Sequence, residues 1–241
     1  YICFMTISLI HPSRNRPEQA EKTFLHWISN MSAMSNLSDY VISVDLDDKD
    51  LQAYRDKFMS ILDGIILVGA NNTCVVEAAN VGAEQAKGDI LVLVSDDFEC
   101  HKDWDLHLIE HFTNHRNNVL KTNDTLQDWI VTLPIMDREY YESCGYMYHP
   151  SYKHMFCDTD MTHKAELEGK LFRRMDLEFK HKHYSQGETP KDAVNIKADY
   201  TWAQGETVYL DRVRNSFGIP NVDALNISDV NLKNWLTQKL K

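Results

Sequence analysis

The stretch EAANVGAEQAKGDILVLVSDD, residues 77–97, decides the fold. Small and apolar side chains recur in its first half at the spacing of a helix face. Gly88 then marks a helix end, and the apolar run over 89–95 predicts a buried strand. A helix that leads directly into a buried strand is one unit of an alternating α/β sheet. This unit ends on two carboxylates, Asp96 and Asp97.

The same alternation continues toward the N-terminus. The predicted elements, in chain order, are strand 3–10, helix 17–34, strand 40–45, helix 49–62, strand 64–69, helix 73–87 and strand 89–95. Pro17 is a typical first residue of a helix. Strands that alternate with helices imply right-handed crossovers, so we predict an α/β sandwich around a mostly parallel sheet.

The second half of the chain is less regular. The elements predicted there are helices 104–112, 162–174 and 199–218, strands 128–136 and 176–183, and an aromatic-rich loop over 142–160. The sequence contains no repeat, low-complexity tract or linker. We therefore expect a single domain over residues 1–241 with an elaborated C-terminal half.

Composition limits the classes of protein. The 241 residues include 25 Lys+Arg and 36 Asp+Glu, and the net charge of -11 argues against a nucleic-acid-binding protein. No apolar stretch reaches the length of a membrane span, and the opening residues predict a strand rather than a signal peptide. A start at Tyr1 rather than Met leaves open a longer parent protein. The cysteines are odd in number and lack C-x-x-C spacing: Cys3, Cys74, Cys100, Cys144 and Cys157. This pattern is typical of reduced thiols, so we expect a cytoplasmic protein, with peripheral association at the inner face of the membrane left open.

Acidic side chains follow two of the predicted strands. Ligands of parallel α/β sheets bind beyond the carboxyl ends of the strands, so these positions are candidates for a binding site. Asp96 and Asp97 repel each other unless a divalent cation lies between them and a phosphate, and Mg²⁺ and Mn²⁺ prefer such oxygen ligands. The alternative is a helix-capping pair. Asp45 ends the second strand and could accept hydrogen bonds from a ribose or a base, whereas Asp48 or Asp50 could cap the next helix.

No glycine-rich phosphate loop is present. Neither G-x-G-x-x-G nor G-x-x-x-x-G-K-[ST] occurs, which argues against dinucleotide-binding and P-loop proteins. A bound phosphate would need a metal and cationic side chains instead. In HPSRNRP, residues 11–17, Arg14 is the nearest candidate, and Arg16, next to the helix start, is expected to face water. The alternative for this stretch is a solvated loop.

These motifs resemble the nucleotide-binding half of family 2 glycosyltransferases with the GT-A fold. In that family N-x-G-x-x-x-A-x-G-[DE] leads into a strand that ends in D-x-D. The matching residues here are Asn80, Gly82, Ala86, Gly88 and Asp89. The acidic motif is Ser95-Asp96-Asp97, with Ser95 in the place of the first Asp. The resemblance covers roughly residues 4–185.

The resemblance implies a function and a set of site residues. It implies an inverting transfer of sugar from a nucleotide-diphosphate sugar, with a UDP-sugar favoured, to a saccharide or glycolipid acceptor. Asp158 in FCDTDM corresponds to the general base, Asp160 supports the site or caps the following helix, and Cys157 replaces an acidic residue. Asp97 and His183, or His181 in its place, would bind Mn²⁺ or Mg²⁺. The residues expected to contact the nucleotide are Pro12, Ser13, Arg14, Asp45, Asn80, Ser95 and Asp96.

The single domain would divide into a nucleotide-sugar-binding half, residues 1–100, and an acceptor half, residues 101–241.

Two alternatives remain beside this hypothesis. A sugar-nucleotide pyrophosphorylase has a similar sheet, but needs the glycine-rich loop that residues 11–17 lack. A degenerate nucleotide-binding domain stays open because Ser95 and Cys157 each replace an acid. Arg212 and Arg214 either reach the diphosphate or, as we favour, lie on a helix surface.

Overall fold

The computed structural model describes residues 5–59, 65–188, 191 and 193–240. Cys3, the start of the strand predicted over 3–10 and the end of the helix predicted over 49–62 lie outside these residues. The described strands are β1 Ile7–Pro12, β2 Leu37–Asp45, β3 Ile65–Ala70, β4 Ile90–Leu93, β5 Phe98–Cys100, β6 Val119–Asn123, β7 Ile135–Asp137 and β8 Leu171–His181. The described α-helices are α1 Pro17–Ser29, α2 Leu51–Phe58, α3 Val75–Gln85, α4 Trp104–Asn114, α5 Arg138–Cys144, α6 Cys157–Leu167, α7 Ala193–Asp199, α8 Trp202–Arg214 and α9 Val230–Lys239.

All eight strands form one sheet in the order β3-β2-β1-β4-β7-β6-β8-β5. The first four strands along the chain pair in parallel, and β6 pairs in parallel with β8. The antiparallel pairs are β4 with β7, β6 with β7, and β5 with β8. This mostly parallel sheet, covered by helices, confirms the predicted α/β class. It also brings the carboxyl ends of β1 to β4 to one edge.

Close packing of α3 on β1 explains the glycines of residues 77–97. A Cβ added to Gly82 would lie 2.8 Å from Cγ2 of Ile10. A Cβ added to Gly88 would lie 2.6 Å from the backbone nitrogen of Ser8. The carboxylate of Asp89 accepts a hydrogen bond of 2.9 Å from the backbone N–H of Thr6. These residues fix the helix and the strand against each other, and their role is structural.

The second half departs from the predicted elements in several places, and α5 and α7 were not predicted. Within the range 128–136 only the last two residues are strand, as part of β7. The segment before β7 forms turns instead, because the side-chain oxygens of Asp124 and Gln127 accept hydrogen bonds from backbone N–H groups between residues 126 and 130. The helix predicted over 162–174 ends at Leu167, since Gly169 has φ +68° and β8 follows. The helix predicted over 199–218 begins only at Trp202, after α7. β6 and α9 were not predicted.

Two further predictions concern chemistry and membranes. The four described cysteines are free thiols, as predicted. In the described part of the chain no helix is long and apolar enough to cross a membrane.

Candidate active site

Unpaired polar atoms lie beyond the ends of β2 and β3. Asp45 and Asn72 are buried, yet Oδ1 of Asp45 and Nδ2 of Asn72 have no hydrogen-bond partner among the described residues. The hydroxyl of Ser43 is likewise buried and unpaired within that part of the chain. Because a buried polar group without a partner costs free energy, these atoms are available to a polar ligand. The sequence singled out Asp45 but missed Asn72, whose only signal was its position directly after a strand.

Arg14 lies in this region, but it binds carboxylates. Its guanidinium donates hydrogen bonds to Asp45 Oδ2 and, at 2.9 and 3.1 Å, to the two carboxylate oxygens of Asp47. These hydrogen bonds raise the pKa of the Arg14 guanidinium. The charge of Arg14 is therefore offset within the protein, and Oδ1 of Asp45 is left facing the site. This corrects the expectation that Arg14 is a free cation for a diphosphate.

Asp96 points away from the site and anchors the loop after β1. Its carboxylate accepts hydrogen bonds from Nε2 of His11 at 2.9 Å and from the hydroxyl of Ser13 at 3.0 Å. Arg16 lies 3.7 Å from the same carboxylate and is only 24% exposed, so it does not simply face water. Asp96 and Ser13 are consequently structural residues rather than nucleotide contacts. Pro12 pairs with Ser43 in the sheet and makes no polar side-chain contact.

Asp97 points into the site beside His181. The N–H of Phe98 donates a hydrogen bond to the carbonyl of Ser95 and closes a turn. In this turn the side chains of Asp96 and Asp97 point in different directions. Oδ1 of Asp97 accepts a hydrogen bond of 2.5 Å from the Ser95 hydroxyl, and Oδ2 lies 3.2 Å from Nε2 of His181. The side chains of Asp97 and His181 are 24% and 12% exposed, so a small ligand can reach both.

The register of β5 on β8 explains why His181 is the histidine next to Asp97. Phe98 and His181 are cross-strand partners, and their rings stack at 4.2 Å. His183 lies beyond the strand end, where Nδ1 is 2.8 Å from the hydroxyl of Ser185. The structure thus places His181 in contact with Asp97, while His183 lies next to His181, with 5.0 Å between the two ring centroids, and within electrostatic reach of Asp97.

Asp97 and His181 fit a divalent cation that is completed by a ligand. The described residues contain no group of three or more His, Cys, Asp or Glu side chains that could bind a metal. Two ligands about 2.1 Å from one ion and at a right angle to each other are about 3 Å apart, close to the 3.2 Å observed. Mg²⁺ commonly uses one or two protein ligands together with phosphate oxygens and water.

Asp158 lies in the first turn of α6 and is half-buried. Its Oδ1 accepts a hydrogen bond of 2.7 Å from the N–H of Thr159. Burial raises the pKa of the Asp158 carboxyl, while hydrogen bonds from Thr159 and the charge of His181 oppose the rise. Asp158 is therefore within electrostatic reach of His181. A carboxylate with a raised pKa is suited to accept a proton.

Asp160, two residues later, is part of the interior. It forms an ion pair with Arg212 at 2.8 Å and accepts a hydrogen bond of 3.0 Å from the Tyr152 hydroxyl. Arg212 consequently joins α8 to α6 and is not the surface residue that we favoured from the sequence.

The structure gives new information on two further residues, Asn80 and His154. The amide of Asn80 holds the backbone at Tyr148: Nδ2 donates to the carbonyl of Tyr148, and Oδ1 accepts from the N–H groups of Met147 and Tyr148. The contact of Asn80 with a nucleotide stays a prediction. His154 was missed by sequence reasoning. Burial lowers the pKa of His154, and the charges of Asp199 and Asp97 oppose this shift, which places its ring near Asp97.

Comparisons with known proteins agree with this architecture. Residues 8–148 match the family described as Glycosyl transferase family 2. The chain is 25% identical over 108 residues to a glucosyl-dolichyl phosphate glucuronosyltransferase of Haloferax volcanii, covering 44% of this chain and 34% of the relative. The chain thus matches only about a third of the length of that relative.

Solved structures show the same fold. The mannosyltransferase PcManGT from Pyrobaculum calidifontis, in complex with GDP-Man and Mn²⁺, has a TM-score of 0.68 and 12% identity over 99% of this chain and 70% of its own. TarS 1-349 from S. aureus, in complex with UDP-GlcNAc, has a TM-score of 0.68 and 14% identity over 98% of this chain and 71% of its own. The fold of residues 5–240, as far as described, is that of these GT-A proteins.

Proposed function

The chain belongs to glycosyltransferase family 2, and from this premise we propose that it transfers a sugar from a nucleotide-diphosphate sugar to an acceptor hydroxyl with inversion. The single observation that carries the proposal is the pair Asp97 and His181, 3.2 Å apart, with Asp158 in electrostatic reach of His181. A pair of side chains that can bind a cation, within electrostatic reach of a carboxylate with a raised pKa, would provide a leaving-group site and a base.

The nucleoside would bind at the ends of β2 and β3. Oδ1 of Asp45 is a free acceptor and Nδ2 of Asn72 a free donor within the described residues. A base that offers an imide or ring N–H beside a carbonyl complements both atoms, as uracil does. Arg14 would act indirectly by binding Oδ2 of Asp45. The proposal favours a UDP-sugar, although guanine also offers an N–H beside a carbonyl.

The diphosphate would lie between this nucleoside site and Asp158. Asp97 and His181 would bind Mn²⁺ or Mg²⁺, the former being the ion in the PcManGT complex. When bound, a divalent ion offsets the negative charge that grows on the leaving diphosphate. Within the protein, the register of β5 on β8 fixes His181 toward Asp97 before any ligand arrives.

Asp158 would accept the proton of the acceptor hydroxyl as that oxygen attacks the anomeric carbon from the face opposite the diphosphate. Positioned proton transfer of this kind contributes roughly 10² to 10⁴-fold to a rate. The hydrogen bond from the N–H of Thr159 orients the Asp158 carboxylate. Attack from the opposite face inverts the configuration at the anomeric carbon.

The acceptor would be a saccharide or a glycolipid, bound by residues 101–241, while residues 1–100 bind the donor. The named Haloferax volcanii relative acts, by its name, on glucosyl-dolichyl phosphate, and a glycolipid acceptor would bring the protein to a membrane surface. The free cysteines are typical of a reducing compartment. We therefore place the proposed activity in the cytoplasm, at the inner face of the membrane for a lipid-linked acceptor.

A nucleotide panel tests the proposal. Thermal shifts with UDP, GDP, CMP and dTDP, each with Mn²⁺ or with EDTA, are expected to give one Mn²⁺-dependent ligand, which then identifies the donor for transfer assays. Asp97→Asn is expected to lose the Mn²⁺-dependent shift. Asp158→Asn is expected to keep that shift and lose transfer. Asp176→Asn, at an exposed carboxylate on β8, is the matched control and is expected to change neither.

Three results would contradict the proposal. The first is full transfer in excess EDTA, which would remove the cation from the mechanism. The second is nucleotide binding without donor hydrolysis or transfer, which would indicate a degenerate binding domain. The third is loss of transfer in a folded Asp160→Asn variant while Asp158→Asn stays active, which would shift the base by two residues.

A further inference from the structure

Ser95 occupies the position at which the resemblance predicts an acidic residue. It is the first residue of the turn that closes with the hydrogen bond from the N–H of Phe98 to the carbonyl of Ser95. Its hydroxyl lies 2.5 Å from Oδ1 of Asp97, and the only described acceptor of that hydroxyl is this carboxylate. The donor capacity of Ser95 is therefore used on Asp97.

The two oxygens of Asp97 have different neighbours. Oδ1 is bound by Ser95, and Oδ2 lies 3.2 Å from Nε2 of His181. A carboxylate held at one oxygen by a hydroxyl on its own turn cannot rotate freely about its last torsion. Oδ2 is consequently directed toward His181, where the cation is proposed to bind.

An acid at position 95 would have a different effect. It would place a second negative charge at hydrogen-bond distance from Oδ1 of Asp97, and like charges this close are relieved only by a proton or a cation. A serine donates a hydrogen bond there instead. The hydroxyl of Ser95 thus orients the carboxylate of Asp97 without a cation.

We propose that Ser95 is a positioning residue for the metal ligand Asp97, and that it is not a ribose contact. The proposal rests on the metal role of Asp97 put forward above. The hydroxyl of Ser95 fixes Oδ1, which leaves Oδ2 and Nε2 of His181 as a pre-arranged pair of ligands for a divalent cation.

The test compares Ser95→Ala, Ser95→Thr and Ser95→Asp with wild type and with Asp97→Ala. Free Mn²⁺ is measured by electron paramagnetic resonance, with and without UDP, and UDP binding is measured separately in EDTA. Ser95→Ala is expected to weaken Mn²⁺ binding by about 10-fold or more, the usual effect of losing a partner of a metal ligand. Ser95→Thr keeps the hydroxyl and is expected to stay close to wild type.

Stability provides a second readout. Ser95→Asp is expected to melt at a lower temperature than wild type in EDTA, because its new charge faces Asp97. On addition of Mn²⁺ its melting temperature is expected to rise more than that of wild type. UDP affinity in EDTA is expected to be the same for Ser95→Ala and wild type.

The outcomes separate this proposal from the proposed function. If Asp97→Ala abolishes Mn²⁺ binding but Ser95→Ala leaves it unchanged, the metal site stands and the positioning role is overturned. If Ser95→Ala weakens UDP binding in EDTA, Ser95 contacts the nucleotide and the proposal is wrong. If Asp97→Ala retains Mn²⁺ binding, the metal site itself is misplaced and both proposals fail.

Discussion

Two neighbouring aspartates are expected to respond in opposite ways to the same substitution. Asp96→Ala removes a carboxylate that is 6% exposed and accepts hydrogen bonds from His11 and Ser13. A hydrogen bond to a charged group contributes about 1.5–3 kcal/mol, and Nε2 of His11 would be left buried without a partner, whereas Nδ1 keeps the Tyr40 hydroxyl. We therefore expect Asp96→Ala to lower the free energy of unfolding by about 3–5 kcal/mol.

Asp97→Ala is the matched comparison. Its carboxylate is 24% exposed, and water can replace it as a partner for Ser95. We expect the free energy of unfolding to change by no more than about 1 kcal/mol, while Mn²⁺-dependent nucleotide binding is lost. Urea unfolding followed by tryptophan fluorescence measures the first quantity, since Trp27 and Trp104 are fully buried. Calorimetric titration with UDP and Mn²⁺ measures the second.

Equal unfolding midpoints for the two variants would refute this reasoning. So would an Asp96→Ala variant that is as stable as wild type but cannot bind nucleotide, because Asp96 would then face the ligand. Asp176→Ala serves as a control for loss of an exposed carboxylate, and is expected to match wild type in both measurements.

Four further predictions follow from single residues. Burial raises the pKa of Asp158, so we expect kcat/KM to fall, as pH is lowered, with a pKa above the ordinary aspartate value of about 4. A fall only at or below that value in the pH profile would contradict the role of Asp158 as base. Burial lowers the pKa of His163 to about 4. Since the unfolded pKa is about 6.5, the free energy of unfolding is expected to fall by about 3 kcal/mol as pH is lowered from 6.5 toward 4. In urea unfolding, His163→Phe should lose less free energy of unfolding over the same pH range. Gly88→Ala is expected to cost about 1–3 kcal/mol of unfolding free energy, since its Cβ would lie 2.6 Å from the backbone nitrogen of Ser8; an unchanged melting temperature would contradict this. Arg14→Ala is expected to weaken UDP binding by about 1–3 kcal/mol through Asp45, and equal calorimetric affinities would show that Arg14 does not support the site.

The sequence by itself determined the alternating half of the fold. In residues 77–97 the helix spacing and the apolar run are local signals, and they predict α3 and β4 correctly to within a few residues. The prediction that Gly88 ends the helix as its C-terminal glycine is wrong, because α3 ends at Gln85 and Gly88 instead allows close approach to Ser8. Local patterns also located Asp45 and Asp97 at strand ends, because a strand that ends in a polar residue carries this information in its own sequence.

Only the tertiary structure decided what each polar side chain does. The resemblance assigned Asp97 to the metal and Asp96 to the nucleotide, but only the structure shows that the turn at Ser95 directs Asp96 toward His11 and Asp97 toward His181. The contact of His181 with Asp97 depends on the register between β5 and β8, which pairs Phe98 with His181, 83 positions apart.

Contacts between residues far apart in the sequence also account for the role of Arg14 and for the second half of the fold. A lone arginine after a strand is compatible with a phosphate, but Asp45 and Asp47 arrive from the next loop and offset its charge. β6 and β8 are strands because each pairs with the other across the chain, although the segment entering β8 has the spacing of a helix. Pairing and charge compensation depend on distant residues, and for this reason the sequence determined the elements while their contacts determined the site.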